Sequence, residues 1–417
     1  MDRHCDSFKQ EVFGFVKCKV YTPKQLMFPI LPSRINDRLT FTLCKPCAEA
    51  CNNMECHHTD EERALVGTFA TPELEEALKH GYRIAEVYEI LHWDKKSSEI
   101  FRPFVYQWLK IKQEASGYPS WADTDEKKQK YIDDYEKNQG IKLDPQNIKR
   151  DEIKREMAKR QLNSFYGKFA QRGNMEQAEL VTTYERIWSL HNDPKIKVTG
   201  SVTTSTNCIL LNWKYKNDSE SKQGVVNVAI ASFITSYARR ELWRAMHKVE
   251  TESPGCVFYY DTDSIIYKAH REMTLLPTGS LLGELTSEVG HGEKITQLVC
   301  LGPKNYAYKV VRADGTFYVV VKVKGITLNA KALALLTIEE LQRVAERYCL
   351  HPEQEPIQIP IFQERIACDP AHQIVRQQEL SKVYRAVSEK RMIRGNDTLP
   401  YGSVSYTHLT LPTTPYV

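Results

Sequence analysis

The order of apolar and polar residues predicts a chain that alternates short strands with amphipathic helices. Strand-like runs occur at residues 13–20 and 39–43. Thr71-Pro72-Glu73 is a favourable start for a helix over residues 71–80. Apolar residues spaced by three and four positions predict further helices at residues 101–116, 151–170, 228–247, 337–348 and 369–389.

Two longer stretches between these helices show neither the alternation of a strand nor the spacing by three and four positions of a helix. Residues 173–224 are rich in Thr, Asn, Ser and Lys, which indicates strands and loops. Residues 117–150 are polar and charged, so we expect an exposed excursion between two helices. Strands and helices mixed in this way are typical of an α+β fold.

The helix predicted at residues 151–170 has two stripes, about a quarter turn apart. The apolar stripe can pack against a neighbour and consists of Ala158, Leu162, Phe165 and Phe169. The polar stripe combines two cations, an amide and a phenol, and consists of Arg155, Lys159, Asn163 and Tyr166. Stacked cations suit a triphosphate, whose charge they neutralise as pyrophosphate leaves. The alternative is a helix with a solvated basic face.

A hairpin with two carboxylates at its turn is predicted further along the chain. Residues 257–260 are strand-like, Asp261-Thr262-Asp263-Ser264 follows, and residues 265–267 are strand-like again. Side chains alternate along an extended chain, so Asp261 and Asp263 can point to the same side. Two close carboxylates repel each other, and a divalent cation is a natural compensation. The alternative is an ordinary turn, because Asp and Thr are common turn residues.

Two motifs together resemble the signatures of family B DNA polymerases. Lys159 followed by Asn163-Ser164-Phe165-Tyr166-Gly167 is similar to the K-x3-N-S-x-Y-G signature. Tyr259-Tyr260-Asp261-Thr262-Asp263-Ser264 is similar to the Y-x-D-T-D-S signature, and the order of the two motifs fits the family. The resemblance implies a right-hand architecture, with a palm built on an antiparallel sheet, helical fingers and a thumb.

Three further stretches resemble the protein-primed branch of that family, found in phages, adenoviruses and Polinton-type elements. Phe101-Arg102-Pro103-Phe104 is similar to its first fingers helix, and residues 232–239 are similar to the helix before its catalytic hairpin. Lys304-Asn305-Tyr306 resembles its K-x-Y element. The resemblance extends to about residue 403 and implies protein-primed replication of a viral or transposon genome, with a terminal protein as an additional partner.

The resemblance also implies a role for each matched residue. Asp263 would ligate both catalytic ions, Mg²⁺ or Mn²⁺, with Asp261 in support. The residues implied to contact the incoming nucleotide are Lys159, Arg155 and Lys112 at the triphosphate, and Asn163 and Tyr166 at the base pair. The residues implied to contact DNA are Lys304, Tyr306, Tyr259 and Thr262. The reaction would be a two-metal phosphoryl transfer from dNTPs to the primer end of primer–template DNA.

On the same resemblance the chain divides into polymerase subdomains. Residues 1–100 would form a palm-associated insertion, residues 101–172 the fingers, residues 173–345 the palm with its hairpin, and residues 346–403 the thumb. Residues 404–417 resemble a translated sequencing adapter, so we expect a non-native tail; a natural flexible tail is the alternative.

Two features of the family are missing from the sequence. No D-x-x-S-L-Y-P-like element, which carries the first metal-binding aspartate, occurs in the chain, and no exonuclease domain precedes the motifs. We therefore expect a fragment of a polymerase that is inactive alone, and a catalytically incomplete DNA-binding chain is the alternative function. An RNA-templated polymerase is disfavoured, because such enzymes usually carry a Y-x-D-D turn, whereas Thr262 separates the two aspartates here.

Six thiol and imidazole groups lie within residues 44–58. Cys44 and Cys47 form a C-x2-C pair, and a Cys/His group follows at Cys56-His57-His58. Such a pattern can close a tetrahedral zinc site with a structural role. The preferred ligands are Cys44, Cys47, Cys56 and His58, with Cys51 or His57 as substitutes; a reduced cysteine-rich loop is the alternative.

Composition narrows the class of protein only slightly. The 417 residues include 57 Lys and Arg against 53 Asp and Glu, so net charge alone does not indicate nucleic acid. No apolar run reaches the about 18 residues of a membrane-spanning helix, and the first residues contain no apolar secretory core. We therefore expect an intracellular protein without a membrane partner and with mostly reduced cysteines; the sequence does not determine whether it acts in the nucleus or at a viral replication site.

Overall fold

The computed structural model describes residues 12–217, 226–270, 276–279, 281–351, 353–369, 374–394 and 397–404. Its contacts divide the chain into two compact units. The first unit comprises Met1–Ser97, Thr235–Phe362 and Ser381–Val417, and the second comprises Ser98–Ile234 and Gln363–Leu380. The division into palm, fingers and thumb stays a prediction, and residues 405–417 of the expected tail lie outside the described residues.

Helices and strands alternate along the described residues, in agreement with an α+β fold. The helices are α1 (Lys45–Glu49), α2 (Asp60–Arg63), α3 (Thr71–Lys79), α4 (Arg102–Glu114), α5 (Asp125–Gln139), α6 (Glu152–Phe169), α7 (Tyr184–Asn192), α8 (Val228–Glu252), α9 (Ala330–Leu335) and α10 (Ile338–Leu350). The strands of the amino-terminal half are β1 (Gly14–Tyr21), β2 (Pro32–Ile35), β3 (Arg38–Phe41), β4 (Leu65–Ala70), β5 (Arg83–His92), β6 (Gln177–Val181), β7 (Ile196–Ser205) and β8 (Cys208–Tyr215). The remaining strands are β9 (Val257–Asp261), β10 (Ser264–Tyr267), β11 (Lys294–Gly302), β12 (Asn305–Val311), β13 (Phe317–Val323), β14 (Ile359–Asp369), β15 (Ile374–Tyr384), β16 (Met392–Arg394) and β17 (Asp397–Leu399).

One core of the first unit forms around the antiparallel sheet β4-β1-β5. Residues of β1 are buried alternately, so Val16, Cys18 and Val20 point into the core while Lys17 and Lys19 do not. Helix α8 covers this core with two buried side chains, and the hairpin β9–β10 packs against it as well. The sheet therefore supports the elements that carry the two aspartates.

Two ion pairs fix α8 on α3. The carboxylates of Glu73 and Glu76, which are 2% and 6% exposed, accept hydrogen bonds from Arg239 and Arg244. Loss of either arginine would leave a buried carboxylate unpaired, although solvent screening at the arginines, which are 32% and 44% exposed, brings the cost below the about 3–5 kcal/mol of a fully buried pair. The indole of Trp243 also donates a 2.7 Å hydrogen bond to the carbonyl of Phe28.

A second core of the first unit lies between the antiparallel sheet β11-β12-β13 and α10. Helix α10 begins at a Thr337 cap, whose hydroxyl accepts from the backbone of Glu340. Its apolar face buries Ile338, Leu341 and Val344. The carboxyl-terminal end of β15 joins this core through Tyr384.

The second unit contains a helical part and a three-stranded sheet. Helices α4 and α6 pack through four aromatic rings, those of Phe101, Phe104, Phe165 and Phe169. The sheet β6-β8-β7 packs against α7, which buries Leu190 between Val181 and Leu211. In α6, Ala158 and Phe169 of the predicted apolar stripe are buried, and Leu162 and Phe165 are half-buried.

Three expectations about secondary structure need correction. The helix predicted at residues 369–389 is wrong, because residues 374–384 form β15, paired with β14. Burial alternates strictly from residue 377 to residue 386, so pairing with a neighbouring strand overrode the helix-forming residues. The stretch at residues 173–224 contains α7 besides strands. The polar excursion contains α5, which buries Tyr131, Ile132 and Tyr135 on one face.

No described helix has the length and the apolar character that crossing a membrane would require.

Replacement of Gly14 should destabilise the first unit. A Cβ atom at Gly14 would lie 1.7 Å from the carbonyl oxygen of Leu91 on the adjacent strand. We expect Gly14→Ala to lower the free energy of unfolding by about 1–3 kcal/mol or more, measured by urea denaturation followed by circular dichroism. Gly167→Ala is the control, because no heavy atom lies within 4 Å of its added Cβ. A loss in the control that equals the loss in Gly14→Ala would contradict the packing explanation.

Candidate functional site

The two predicted aspartates lie at the turn of the hairpin β9–β10. Asp261 and Ser264 are paired across the hairpin, and Thr262 between them has a left-handed backbone with a φ of 54°. The Thr262 hydroxyl donates to the Asp261 carboxylate at 3.1 Å, and the Ser264 hydroxyl donates to the Asp261 carbonyl. These bonds hold the turn in shape while the Asp263 side chain stays exposed to solvent.

Lys304 contacts this turn from the neighbouring sheet. Its backbone is also left-handed, with a φ of 56°, in the tight connection between β11 and β12. The Lys304 ammonium donates a 2.8 Å hydrogen bond to the Asp261 carboxylate, and its backbone N–H donates to the Tyr259 hydroxyl at 2.9 Å. The hydrogen bond and the charge of Asp261 raise the pKa of Lys304 above its usual value. The ion pair keeps a positive charge beside the two aspartates.

Aromatic side chains complete this surface. The rings of Tyr259 and Tyr306 are tilted against each other with centroids 4.6 Å apart. Burial raises the pKa of both phenols, and the negative charge of Asp261 contributes. All four residues expected to contact DNA therefore lie in one place, namely Tyr259, Thr262, Lys304 and Tyr306. Sequence reasoning did not foresee the Lys304–Asp261 ion pair, and no spacing in the sequence signals it.

The residues expected at a triphosphate form a basic group in the second unit. Burial lowers the pKa of Lys112, and the nearby charges of Arg155 and Lys159 lower it further. Arg155 also donates a 3.2 Å hydrogen bond to the Ser116 hydroxyl. Three cations held near one another, with no carboxylate paired to them among the described residues, favour an anion as ligand.

The other two residues expected at the nucleotide, Asn163 and Tyr166, lie on the same helix α6 and are exposed. The four polar residues of the predicted stripe therefore all remain accessible to a ligand.

The preferred cysteines and histidine of the predicted zinc site lie together in the first unit. The ligand atoms of Cys44, Cys47, Cys56 and His58 are all within 4.8 Å of one another. The Nδ1 atom of His58 lies 3.4–3.5 Å from each of the three sulphur atoms. Zn–S bonds of about 2.3 Å and a Zn–N bond of about 2.0 Å at tetrahedral angles separate sulphur and nitrogen by about 3.5 Å. The spacing therefore fits a tetrahedral zinc ion.

Local structure explains this convergence. Cys44 precedes α1 as its N-cap and Cys47 lies in the first turn, so their side chains meet at the start of the helix. The two proposed substitutes are not part of the group: Cys51 is exposed and turns its thiol towards the Ala48 carbonyl, and His57 is exposed.

The electrostatic surroundings of the three thiols differ. Burial raises the pKa of Cys44 and Cys47. Burial also acts to raise the pKa of Cys56, but hydrogen bonds from His58 and the charge of Arg63 outweigh it, and this pKa falls to about 7. Arg63 was not identified from the sequence, although the Thr59–Glu62 capping box at the start of its helix α2 is a signal that the sequence carries.

Comparison with known proteins identifies the class. The structure is a mixed helix-and-sheet protein with a two-carboxylate hairpin, a basic helix and a Cys/His group. The family model of DNA polymerase type B, organellar and viral, matches residues 2–121 and 118–252, more than half of the chain. The chain belongs to this family, which implies DNA-directed DNA polymerase chemistry with DNA and dNTPs as partners. No curated protein and no solved structure matches the chain.

The matched residues include α4 and α6, with Lys112, Arg155 and Lys159, and the whole of α8. The hairpin β9–β10 and the Lys304 turn lie beyond them.

Proposed function

We propose that this chain forms the palm hairpin, fingers and thumb of a DNA-directed DNA polymerase of right-hand architecture that starts replication from a protein primer. The observation that carries the proposal is the pair Asp261 and Asp263 at a hairpin turn, with Lys304 bonded to Asp261, in a chain of the family B polymerases. Protein priming rests on the resemblance of the fingers helix and of Lys304-Asn305-Tyr306 to that branch, with a terminal protein as partner.

The carboxylates suit a hard divalent cation. Asp263 is exposed, and within the described part of the chain its carboxylate makes no hydrogen bond or ion pair, so its oxygens are available to Mg²⁺ or Mn²⁺. We assign Asp263 as the main ligand and Asp261 as its support. The bound ions would activate the primer 3′-hydroxyl and stabilise charge on the attacked phosphate. Lys304 limits the charge repulsion between the two aspartates, and Tyr259, Thr262 and Tyr306 would contact the primer strand.

The basic group of the second unit is assigned to the incoming nucleotide. Lys112, Arg155 and Lys159 would contact the triphosphate, whose concentrated negative charge matches three clustered cations. Asn163 and Tyr166 would contact the nascent base pair.

A second candidate function is DNA binding without synthesis by this chain alone. Among the described residues, the only Cys, His, Asp and Glu side chains grouped in threes or more with metal-ligand spacing are those of the Cys/His site, so no third carboxylate joins Asp261 and Asp263. Two-metal catalysis holds its ions about 3.5–4 Å apart, which needs ligands on both sides. The D-x-x-S-L-Y-P element that supplies the other aspartate in the family is not in this sequence.

We also propose that the Cys/His group binds one structural zinc ion. Four protein ligands with sulphur–nitrogen distances of 3.4–3.5 Å support this assignment, and they leave no open position for catalysis.

The chain alone should bind primer–template DNA and fail to extend it. Binding should weaken steeply with salt, because phosphate contacts dominate non-specific affinity. Fluorescence anisotropy at several salt concentrations and primer extension with Mg²⁺ and Mn²⁺ would be measured on this chain and on a version joined to a D-x-x-S-L-Y-P element. The joined version should extend the primer, and Asp263→Asn in it should abolish extension. Robust extension by the chain alone, or full activity of the Asp263→Asn version, would contradict the assignment of the carboxylates.

Replacement of Lys159 should weaken nucleotide use more than DNA binding. Loss of one charged contact to phosphate should raise the apparent KM for dNTPs by about tenfold or more in the joined version. DNA contacts are spread over many residues, so the Kd for DNA should change by less than about twofold. Lys168→Ala is the matched control, since this lysine lies nine residues further along the same helix, two and a half turns away and on the opposite face. Equal effects of the two substitutions would count against the triphosphate assignment.

Zinc content provides a direct check on the Cys/His site. Elemental analysis of protein purified without chelators should give about one zinc per chain. Cys56→Ser should lose most of it, because the thiolate is a ligand, while Cys51→Ser should keep it, because that thiol lies outside the group. Protein free of metal, or an equal loss in both variants, would refute the ligand set.

A further inference from the structure

A segment near the carboxyl-terminal end of the described chain lies on the Cys/His site. We call residues 391–394 and 397–404 the strap; they contain the antiparallel pair β16–β17. Three strap residues are buried in one apolar cluster with the three ligand cysteines, namely Met392, Leu399 and Tyr401. The strap therefore packs directly on the proposed metal ligands.

Backbone hydrogen bonds join the strap to the segment that carries the ligands. The Leu43 N–H donates to the Tyr401 carbonyl at 2.9 Å, immediately before the first ligand. The Cys56 N–H donates to the Ser403 carbonyl at 3.4 Å, so a ligand itself is bonded to the strap. The Ile393 N–H donates to the Asn53 side chain between the two pairs of ligands.

Arg63 connects the strap to the thiols electrostatically. Its side chain is fully buried, and its hydrogen bonds go to the Gly402 carbonyl at 2.8 Å, the Pro23 carbonyl and the Cys56 sulphur at 3.2 Å. A buried guanidinium needs a negative partner, and carbonyl oxygens provide only dipoles. Zn²⁺ with three thiolates and a neutral imidazole carries a single negative charge, which Arg63 would offset while it holds Gly402.

Gly402 allows the close approach. Its backbone is left-handed with a φ of 90°, and an added Cβ would lie 2.3 Å from the Cys44 Cβ and 2.6 Å from the Cys44 nitrogen. A side chain at this position therefore cannot fit against the first ligand without movement of backbone.

We propose that the Cys/His site is a metal-dependent clasp that holds the strap to the amino-terminal part of the first unit. The segment that carries the ligands contains little helix, because α1 and α2 have only five and four residues. Free energy of metal binding in such small sites is also free energy of folding. The ion orders the ligand loop, and the ordered loop presents Leu43, Cys56 and Arg63 to the strap. The clasp rests on the proposed zinc binding, and no part of it depends on DNA synthesis.

Hydrogen exchange of the full chain tests the clasp. Zinc would be removed with a chelator, its loss checked by elemental analysis, and then restored. Amides of residues 397–404 should exchange at least about tenfold faster without zinc and recover when zinc returns. Amides of β12 and β13, which belong to another core, should change by less than about twofold. Unchanged exchange in the strap after verified zinc loss would overturn the clasp alone, whereas protein that never contained zinc would overturn the zinc site and the clasp together.

Two glycine substitutions distinguish loss of the strap contact from loss of the metal ligands. Gly402→Ala should speed exchange in the strap at least about tenfold while zinc content stays near one per chain, because all four ligands remain. Gly315→Ala is the matched control: its φ of 83° imposes a similar backbone strain, but no heavy atom lies within 4 Å of its added Cβ. The control should leave the strap unchanged. Normal protection of the strap in Gly402→Ala would overturn the proposal, as would equal effects of the two substitutions.

Discussion

The pairing of two buried carboxylates on α3 with two arginines on α8 constrains the first unit. Glu73 and Glu76 are almost fully buried, so each needs its arginine from α8, and only one register of the two helices provides both. Helix α8 ends at Glu252, five residues before the start of β9. The hairpin with its two aspartates is thus attached to a helix that cannot slide or rotate without exposing a buried carboxylate.

The surface around the hairpin combines strain and charge. Thr262 and Lys304 are both left-handed residues with a side chain, a conformation that costs of order 1–2 kcal/mol each. The two residues lie on either side of Asp261, bonded to its two carboxylate oxygens. Strained residues of this kind persist where surrounding structure holds them, and they cluster at functional sites. Phe28, whose ring packs edge-on against Tyr260, links the same hairpin to the core and to Arg391 of the strap.

The period and residue types within a single segment predicted those elements that the segment determines by itself. The alternation in β1, the amphipathic helices α4, α6 and α10, and the Asp261–Ser264 turn follow from period and residue type. Strand β15 was mistaken for a helix, because its identity depends on pairing with β14, a contact that periodicity within one segment does not reveal. The four grouped metal ligands were foreseen from spacing over fifteen residues. The roles of Arg63 and the strap were not foreseen. Arg63 donates a hydrogen bond to the Gly402 carbonyl, and the two residues lie 339 positions apart in the sequence.

Because Arg63 and Gly402 lie 339 positions apart, they are synthesised at different times. The ligands Cys44, Cys47, Cys56 and His58 all lie within fifteen residues, which are synthesised before the strap. At about 5–20 residues per second, Gly402 is added roughly 20–70 seconds after Arg63. During that interval the strap is not available to accept the hydrogen bond from Arg63 or to pack against the cysteines. The packing around the Cys/His group is therefore completed only when the strap has been synthesised.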